Sequence, residues 1–172
     1  SYTTATIYGN SGADTITGGV GADTIYGGNG ADILTGGAGV DTFVFNDGNS
    51  TYLTPDTITD LQAIDQVVAD GQTATVGASL GTSTTITTNA AGVVSFVNLA
   101  ATAYDTFAEK VSVIDAVTSA GQMVYFADAG STYMFIDTGT STYDVVVKLT
   151  GVSLPLTAAT AGTTGLTGVG AA

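Results

Sequence analysis

The sequence predicts an all-β fold with minor α content: a parallel β-roll of nine-residue repeats, continued by a β-rich, sandwich-like C-terminal region with one helix. Three observations predict it. Four tandem units of identical length open the chain, and each combines several glycines, one Asp and one apolar residue. Short stretches rich in Val, Ile, Thr and aromatic residues, separated by Gly turns, fill most of the rest. One segment alone, near residues 105–119, has the 3.6-residue spacing of an amphipathic helix.

The repeat comes first in the chain and carries the argument. Gly9-Asn-Ser-Gly-Ala-Asp-Thr-Ile-Thr17 is followed by units starting at Gly18, Gly27 and Gly36. Asp14, Asp23, Asp32 and Asp41 recur every ninth position, as do Ile7, Ile16, Ile25, Leu34 and Phe43. Thr6-Ile7-Tyr8 keeps the strand of a preceding unit, with Ala5 where its Asp would stand. Because Tyr2–Tyr8 already reads as half a unit, the chain is expected to be a piece of a longer protein. Glycines at the first, second and fourth positions permit a tight turn with positive φ and close backbone approach. The three residues after each Asp form a minimal strand whose middle side chain points inward. A unit that buries one apolar side chain is stable only when stacked. Consecutive strands then fall on two facing sheets, and turns 18 residues apart lie above one another. Asp14 pairs with Asp32 on one edge, and Asp23 with Asp41 on the other. Two carboxylates and about four turn carbonyls between stacked turns make an oxygen cage of the kind calcium prefers.

Composition narrows the chemistry in the same direction. There are 15 acidic residues against two lysines, and no Arg, His, Cys or Trp, for a net charge of −13. Zinc and iron sites of the usual kinds, Ser-His-Asp or Cys-His pairs and disulfides are excluded by the missing side chains. The charge argues against nucleic acid or an anionic membrane surface as partner. No run approaches the roughly 18 apolar residues of a membrane span. With a single Glu, Glu109, and no His, general acid–base chemistry lacks players, so the chain is not expected to be an enzyme. Residues 1–70 hold nine Asp and no Lys, whereas 71–172 hold six acids and both lysines. That asymmetry places the calcium chemistry in a first unit, 1–70, and leaves 71–172 as a second.

The units resemble the Gly-Gly-x-Gly-x-Asp-x-apolar-x nonapeptide of the RTX (repeats-in-toxin) family, with Asn10 in place of one glycine. The resemblance implies a right-handed parallel β-roll, folding on exposure to extracellular calcium, and export by a type I ABC transporter that reads an uncleaved C-terminal signal. It also implies ligand sets for two or more Ca2+ ions. One would use Gly9, Ser11, Asp14, Gly28, Gly30 and Asp32. The other would use Gly18, Val20, Asp23, Gly37, Gly39 and Asp41. After Phe43-Val44-Phe45, the stretch Pro55-Asp56-Thr-Ile58-Thr-Asp60-Leu61, with Asp65 and Val67-Val68 beyond, is similar to the closing segment of serralysin-type C-terminal domains. On that resemblance Asp56 and Asp60 are candidate ligands of a further site.

From residue 72 the pattern is strands and turns. Thr84–Thr88 and Val93–Val97 flank Asn89-Ala-Ala-Gly92 as a hairpin. The helix of residues 105–119 follows, with Phe107, Val111, Ile114 and Val117 on one face. Strands are expected at Met123–Ala127, Thr132–Asp137 and Tyr143–Leu149. This order resembles the C-terminal end of alphaproteobacterial RTX and surface-layer proteins. The Ala/Thr/Gly tail from Leu154 to Ala172 is compatible with a type I signal and equally with a disordered end. The sequence thus reads as a calcium-binding export and folding module of a secreted or cell-surface protein. The alternatives are a calcium-dependent lattice or adhesion module able to self-associate, or the C-terminal part of a secreted protease or lipase. An ice-binding Thr array is disfavoured, since the outward pairs Thr15/Thr17, Thr24/Tyr26, Ile33/Thr35 and Thr42/Val44 are irregular.

Overall fold

The computed structural model describes residues 3–46, 48–62, 64–70, 106–116, 118–139 and 144–151, together with four short strands between 72 and 96. Each nonapeptide yields one strand: β1 (Thr6–Tyr8), β2 (Thr15–Val20), β3 (Thr24–Tyr26), β4 (Ile33–Ala38) and β5 (Thr42–Phe45). The closing segment adds β6 (Asp56–Ile58) and β7 (Gln66–Ala69). After these come β8 (Gln72–Thr73), β9 (Thr75–Val76), β10 (Ile86–Thr88), β11 (Val94–Phe96), helix α1 (Phe107–Asp115), β12 (Gln122–Asp128), β13 (Ser131–Ile136) and β14 (Val145–Leu149).

Odd and even strands part into two sheets, as a nine-residue coil requires. One runs β1-β3-β5-β7-β8 and the other β2-β4-β6-β14-β13-β12-β9. Pairing within the repeats is parallel and offset by 18 residues: Ile7 lies beside Ile25, Ile16 beside Leu34, and Ile25 beside Phe43. At the closing segment the offset grows to 24. Ile33 pairs with Thr57 and Thr42 with Gln66, so a six-residue insertion is looped out before the next coil. The inward residues Ile16, Ile25, Leu34, Phe43, Ile58 and Val67 form a continuous buried file between the sheets. At about 25 cal/mol per Å2, burying each such side chain contributes roughly 1.5–3 kcal/mol, and only the stack provides the burial.

The C-terminal strands extend one of the roll's own sheets. β14 pairs in parallel with β6, Val147 beside Asp56 and Leu149 beside Ile58, and antiparallel β13 and β12 follow. Alternation along these strands gives the sheet two apolar faces. Met123, Tyr125, Met134, Ile136, Val145, Val147 and Leu149 join the core of the roll. Val124, Phe126, Phe135 and Val146 face Val111 and Ile114 of α1. The helix starts at a capping box, in which Thr106 accepts from Glu109 N–H and Glu109 accepts from Thr106 N–H. It is shorter than the expected 105–119, ending at Asp115. The hairpin strands pair as expected, Ile86 beside Phe96, while its turn lies outside the described residues. So does the tail from residue 152.

Candidate metal centre

Stacking of the turns places the aspartates in two columns. Asp14 N–H donates to Asp32 Oδ1 (2.8 Å), and Asp32 N–H donates to Asp56 Oδ1 (2.9 Å). On the opposite edge Ala5 N–H donates to Asp23 Oδ1 (2.7 Å), Asp23 N–H to Asp41 Oδ1 (2.9 Å), and Asp41 N–H to Asp65 Oδ1 (3.0 Å). Asp23, Asp32, Asp41, Asp56 and Asp65 thus each fix the coil before them through one oxygen. The other oxygen is left over: Oδ2 of Asp14, Asp23, Asp32, Asp41 and Asp56 is buried and makes no hydrogen bond. Asp23 and Asp32 are 1% exposed, Asp41 and Asp56 0%. A buried carboxylate oxygen without a partner is expensive, so each of these atoms calls for a cation.

The turns pack closely against these oxygens. Oδ2 of each repeat aspartate lies over the first glycine of its own turn, where an added Cβ would meet it at 2.5–2.8 Å. That first glycine is required for space and has no positive φ. The second and fourth positions carry the unusual backbone, Asn10 at φ 74° and Gly12, Gly19, Gly21, Gly28, Gly30, Gly37 and Gly39 between 100° and 143°. Adjacent turns are joined through Asn29 N–H to Asn10 O (2.8 Å) and Gly12 N–H to Asn29 O (2.9 Å). Those bonds use none of the four carbonyls, Gly9, Ser11, Gly28 and Gly30, that the resemblance names for the first ion. On the other edge Gly21 N–H donates to Ala38 O, and Val20 pairs with Ala38. Gly37 O, named for the second ion, also accepts from Gln62 Nε2 (3.1 Å).

Electrostatics point to the same need. Burial pushes the Asp56 carboxyl up to about 7; the Asp32 N–H opposes the rise and the charge of Asp32 adds to it. Burial also raises Asp41 and Asp65, opposed by the N–H groups each accepts from, with neighbouring aspartates adding to the rise. Among the described residues no three carboxylates converge on one point. A cation between stacked turns would therefore meet at most two carboxylates and take its remaining ligands from main-chain carbonyls. An all-oxygen, flexible donor set of this kind suits calcium and none of the softer metals.

The closing-segment aspartates divide in a way the sequence reading did not anticipate. Asp56 stands in the column. Asp60 does not: its Oδ1 and Oδ2 accept from Gly36 N–H (2.9 Å) and Gly37 N–H (2.8 Å), so both oxygens have hydrogen-bond donors. Asp65, left out of the candidate ligands, continues the second column. A signal for it is present: Asp56-Thr-Ile-Thr repeats Asp14-Thr-Ile-Thr, and Asp65 follows Asp56 at nine residues.

These features define a calcium-binding β-roll. Residues 8–43 and 18–52 match the family model of the RTX calcium-binding nonapeptide repeat, in four copies, so this stretch is an RTX array and its cofactor is Ca2+ in more than one site. No curated protein matches the chain. The family's repeat is a structural calcium-binding module and not a catalytic one. Among the described residues no helix is long and apolar enough to cross a membrane.

Proposed function

We propose that the chain is a calcium-triggered folding module that supports type I export of a secreted or cell-surface protein. The observation that carries this reading is the set of five buried, unpartnered Oδ2 atoms, three in one column of stacked turns and two in the other. Ions held by Gly9, Ser11, Asp14, Gly28, Gly30 and Asp32, and by Gly18, Val20, Asp23, Gly37, Gly39 and Asp41, supply the missing positive charge. Without them the aspartates repel and the glycine-rich turns cannot offset their ordering entropy. At the sub-micromolar calcium of a cytosol the roll is unfolded and able to pass a narrow transporter. Outside, each ion adds about 2.7 kcal/mol once free calcium is about 100-fold above its Kd. Coils that have emerged fold and cannot slip back. In this division of labour 1–70 senses calcium, and 71–172 is the completing region with the export signal toward its end. The chain performs no catalysis itself.

Circular dichroism of the chelator-stripped chain, titrated with CaCl2 and then EGTA, tests the reading. The β signal should appear with calcium and vanish with EGTA. A signal complete before calcium is added would sink it.

A second reading, a calcium-dependent lattice or adhesion module, draws on apolar residues along one edge of the roll. Val20, Val40 and Ile64 are about half exposed, and Val40 and Ile64 precede the stacked Asp41 and Asp65. Sedimentation in millimolar calcium separates the two readings: a monomer at all concentrations counts against assembly.

A further inference from the structure

Resting on the calcium reading, we infer that the two edges of the roll close by different means. One closes on an additional calcium ion between Asp32 and Asp56; the other closes on a metal-free hydrogen-bond lock between Asp41 and Asp65. The chain then binds three ions in the roll, two on the first edge and one on the second.

The difference lies in the second oxygen of the last aspartate. Asp56 Oδ2 is buried and bare, as is Asp32 Oδ2 one coil before it. That gap is bounded as the Asp14/Asp32 and Asp23/Asp41 gaps are, by two carboxylate oxygens without partners. In the fourth gap Asp65 Oδ2 accepts from Gln62 N–H at 2.8 Å. The same Gln62 sends its Nε2 to Gly37 O, and Asp60 takes Gly36 N–H and Gly37 N–H. The last aspartate of this column therefore has both oxygens met by amides, Oδ1 by Asp41 N–H and Oδ2 by Gln62 N–H, and the bare Asp41 Oδ2 is served by the ion it shares with Asp23. Around Asp56 the side-chain donors are spent differently: Ser50 Oγ accepts Asp56 N–H (2.8 Å) and donates to Val146 O (2.7 Å), so nothing is directed at Asp56 Oδ2. Asp60 therefore acts as a clamp on the last turn and not as a metal ligand, and Asp65 ends its column without an ion.

Calorimetric titration of the chelator-stripped full chain with CaCl2, on the wild type and on Asp56→Asn and Asp65→Asn, tests this. Either Asn keeps an oxygen for the N–H of the preceding coil. Three ions are expected in the wild type, two in Asp56→Asn and three in Asp65→Asn. Loss of an ion in Asp65→Asn, or three ions retained in Asp56→Asn, overturns the inference. If Asp56→Asn fails to fold, the wild-type count decides: two ions remove the additional site. No calcium binding by the wild type would instead remove the underlying calcium reading, a distinct result.

Discussion

Asp32 accepts the backbone N–H of Asp14 through Oδ1 at 2.8 Å and keeps its Oδ2 buried with no hydrogen-bond partner. One side chain therefore does two jobs, holding the coil before it by a hydrogen bond and offering the remaining oxygen to a cation. Asp32 also donates its own N–H to Asp56, so it borders two gaps. Asp32→Asn keeps the acceptor and puts a donor where the cation would sit; Asp32→Ala removes both. The calcium midpoint of the β signal should rise in both variants. The Ala variant should lose a further 1–3 kcal/mol or so for the orphaned Asp14 N–H. Equal midpoints for Asn and Ala would show that the hydrogen bond contributes nothing.

The glycines give a sharper contrast, because strain and space separate among them. A Cβ on Gly30 would lie 1.9 Å from Gly12 O at φ 143°, whereas one on Gly12, at φ 119°, meets nothing within 4 Å. Gly12→Ala should cost only the backbone strain, about 1–3 kcal/mol, and still fold in millimolar calcium. Gly30→Ala should not form the roll at any calcium concentration, since turn must move off turn. Calcium-dependent circular dichroism of the two variants distinguishes them.

Most of the roll was legible because its signal is local. A period of nine fixes which residue turns, which buries and which faces its counterpart 18 residues on; Asp14, Asp23, Asp32 and Asp41 fell where the period put them. The helix and the three C-terminal strands were readable for similar reasons, from spacing within each element. The six-residue insertion breaks the period between Asp41 and Asp56, so only the resemblance pointed to Asp56, and the continuation of the second column at Asp65 was hidden. The hydrogen bonds of Asp60 to Gly36 N–H and Gly37 N–H were hidden as well, because they join residues of separate coils that no local pattern connects. No local pattern marks the pairing of β6 with β14. It joins Asp56 to Val147 across 91 residues, and the core both strands share decides it.

A titration away from the roll offers an independent check of the C-terminal packing. Asp144 accepts from Thr138 N–H at 3.0 Å. Burial pushes its carboxyl from the ordinary 3.8 up to about 7; that N–H opposes the rise, and Asp115, through a hydrogen bond and its charge, and the charge of Asp137 add to it. The folded chain thus holds a proton that the unfolded chain releases near 3.8. The stability this brings is complete below that value and is lost as pH rises through about 7. Asp144→Asn mimics the protonated form. In saturating calcium its Tm should exceed the wild type's at pH 8, with the gap narrowing as pH falls below about 7 and closing only near 3.8. A gap that does not change with pH would mean that Asp144 is not the group titrating.

Ser50 links the closing segment to the C-terminal sheet, and its removal tests whether they unfold as one. The hydroxyl is 1% exposed, accepts Asp56 N–H and donates to Val146 O, while Ser50 O accepts Val146 N–H at 3.1 Å. Ser50→Ala leaves a buried donor and a buried acceptor unmatched, at a cost of about 1–3 kcal/mol. For a domain of this size each kcal/mol lowers Tm by roughly 2–4 °C. With the other six tyrosines changed to Phe, Tyr125 and Tyr133 report on the C-terminal sheet, and the far-ultraviolet β signal reports mainly on the strands of both parts. Because β14 is hydrogen-bonded to β6 and both strands feed one core, the two signals should shift down together in calcium-saturated Ser50→Ala and remain a single transition. A tyrosine transition that separates from the β signal would show instead that the roll and the strands beyond it are held together only by the contact this hydroxyl makes.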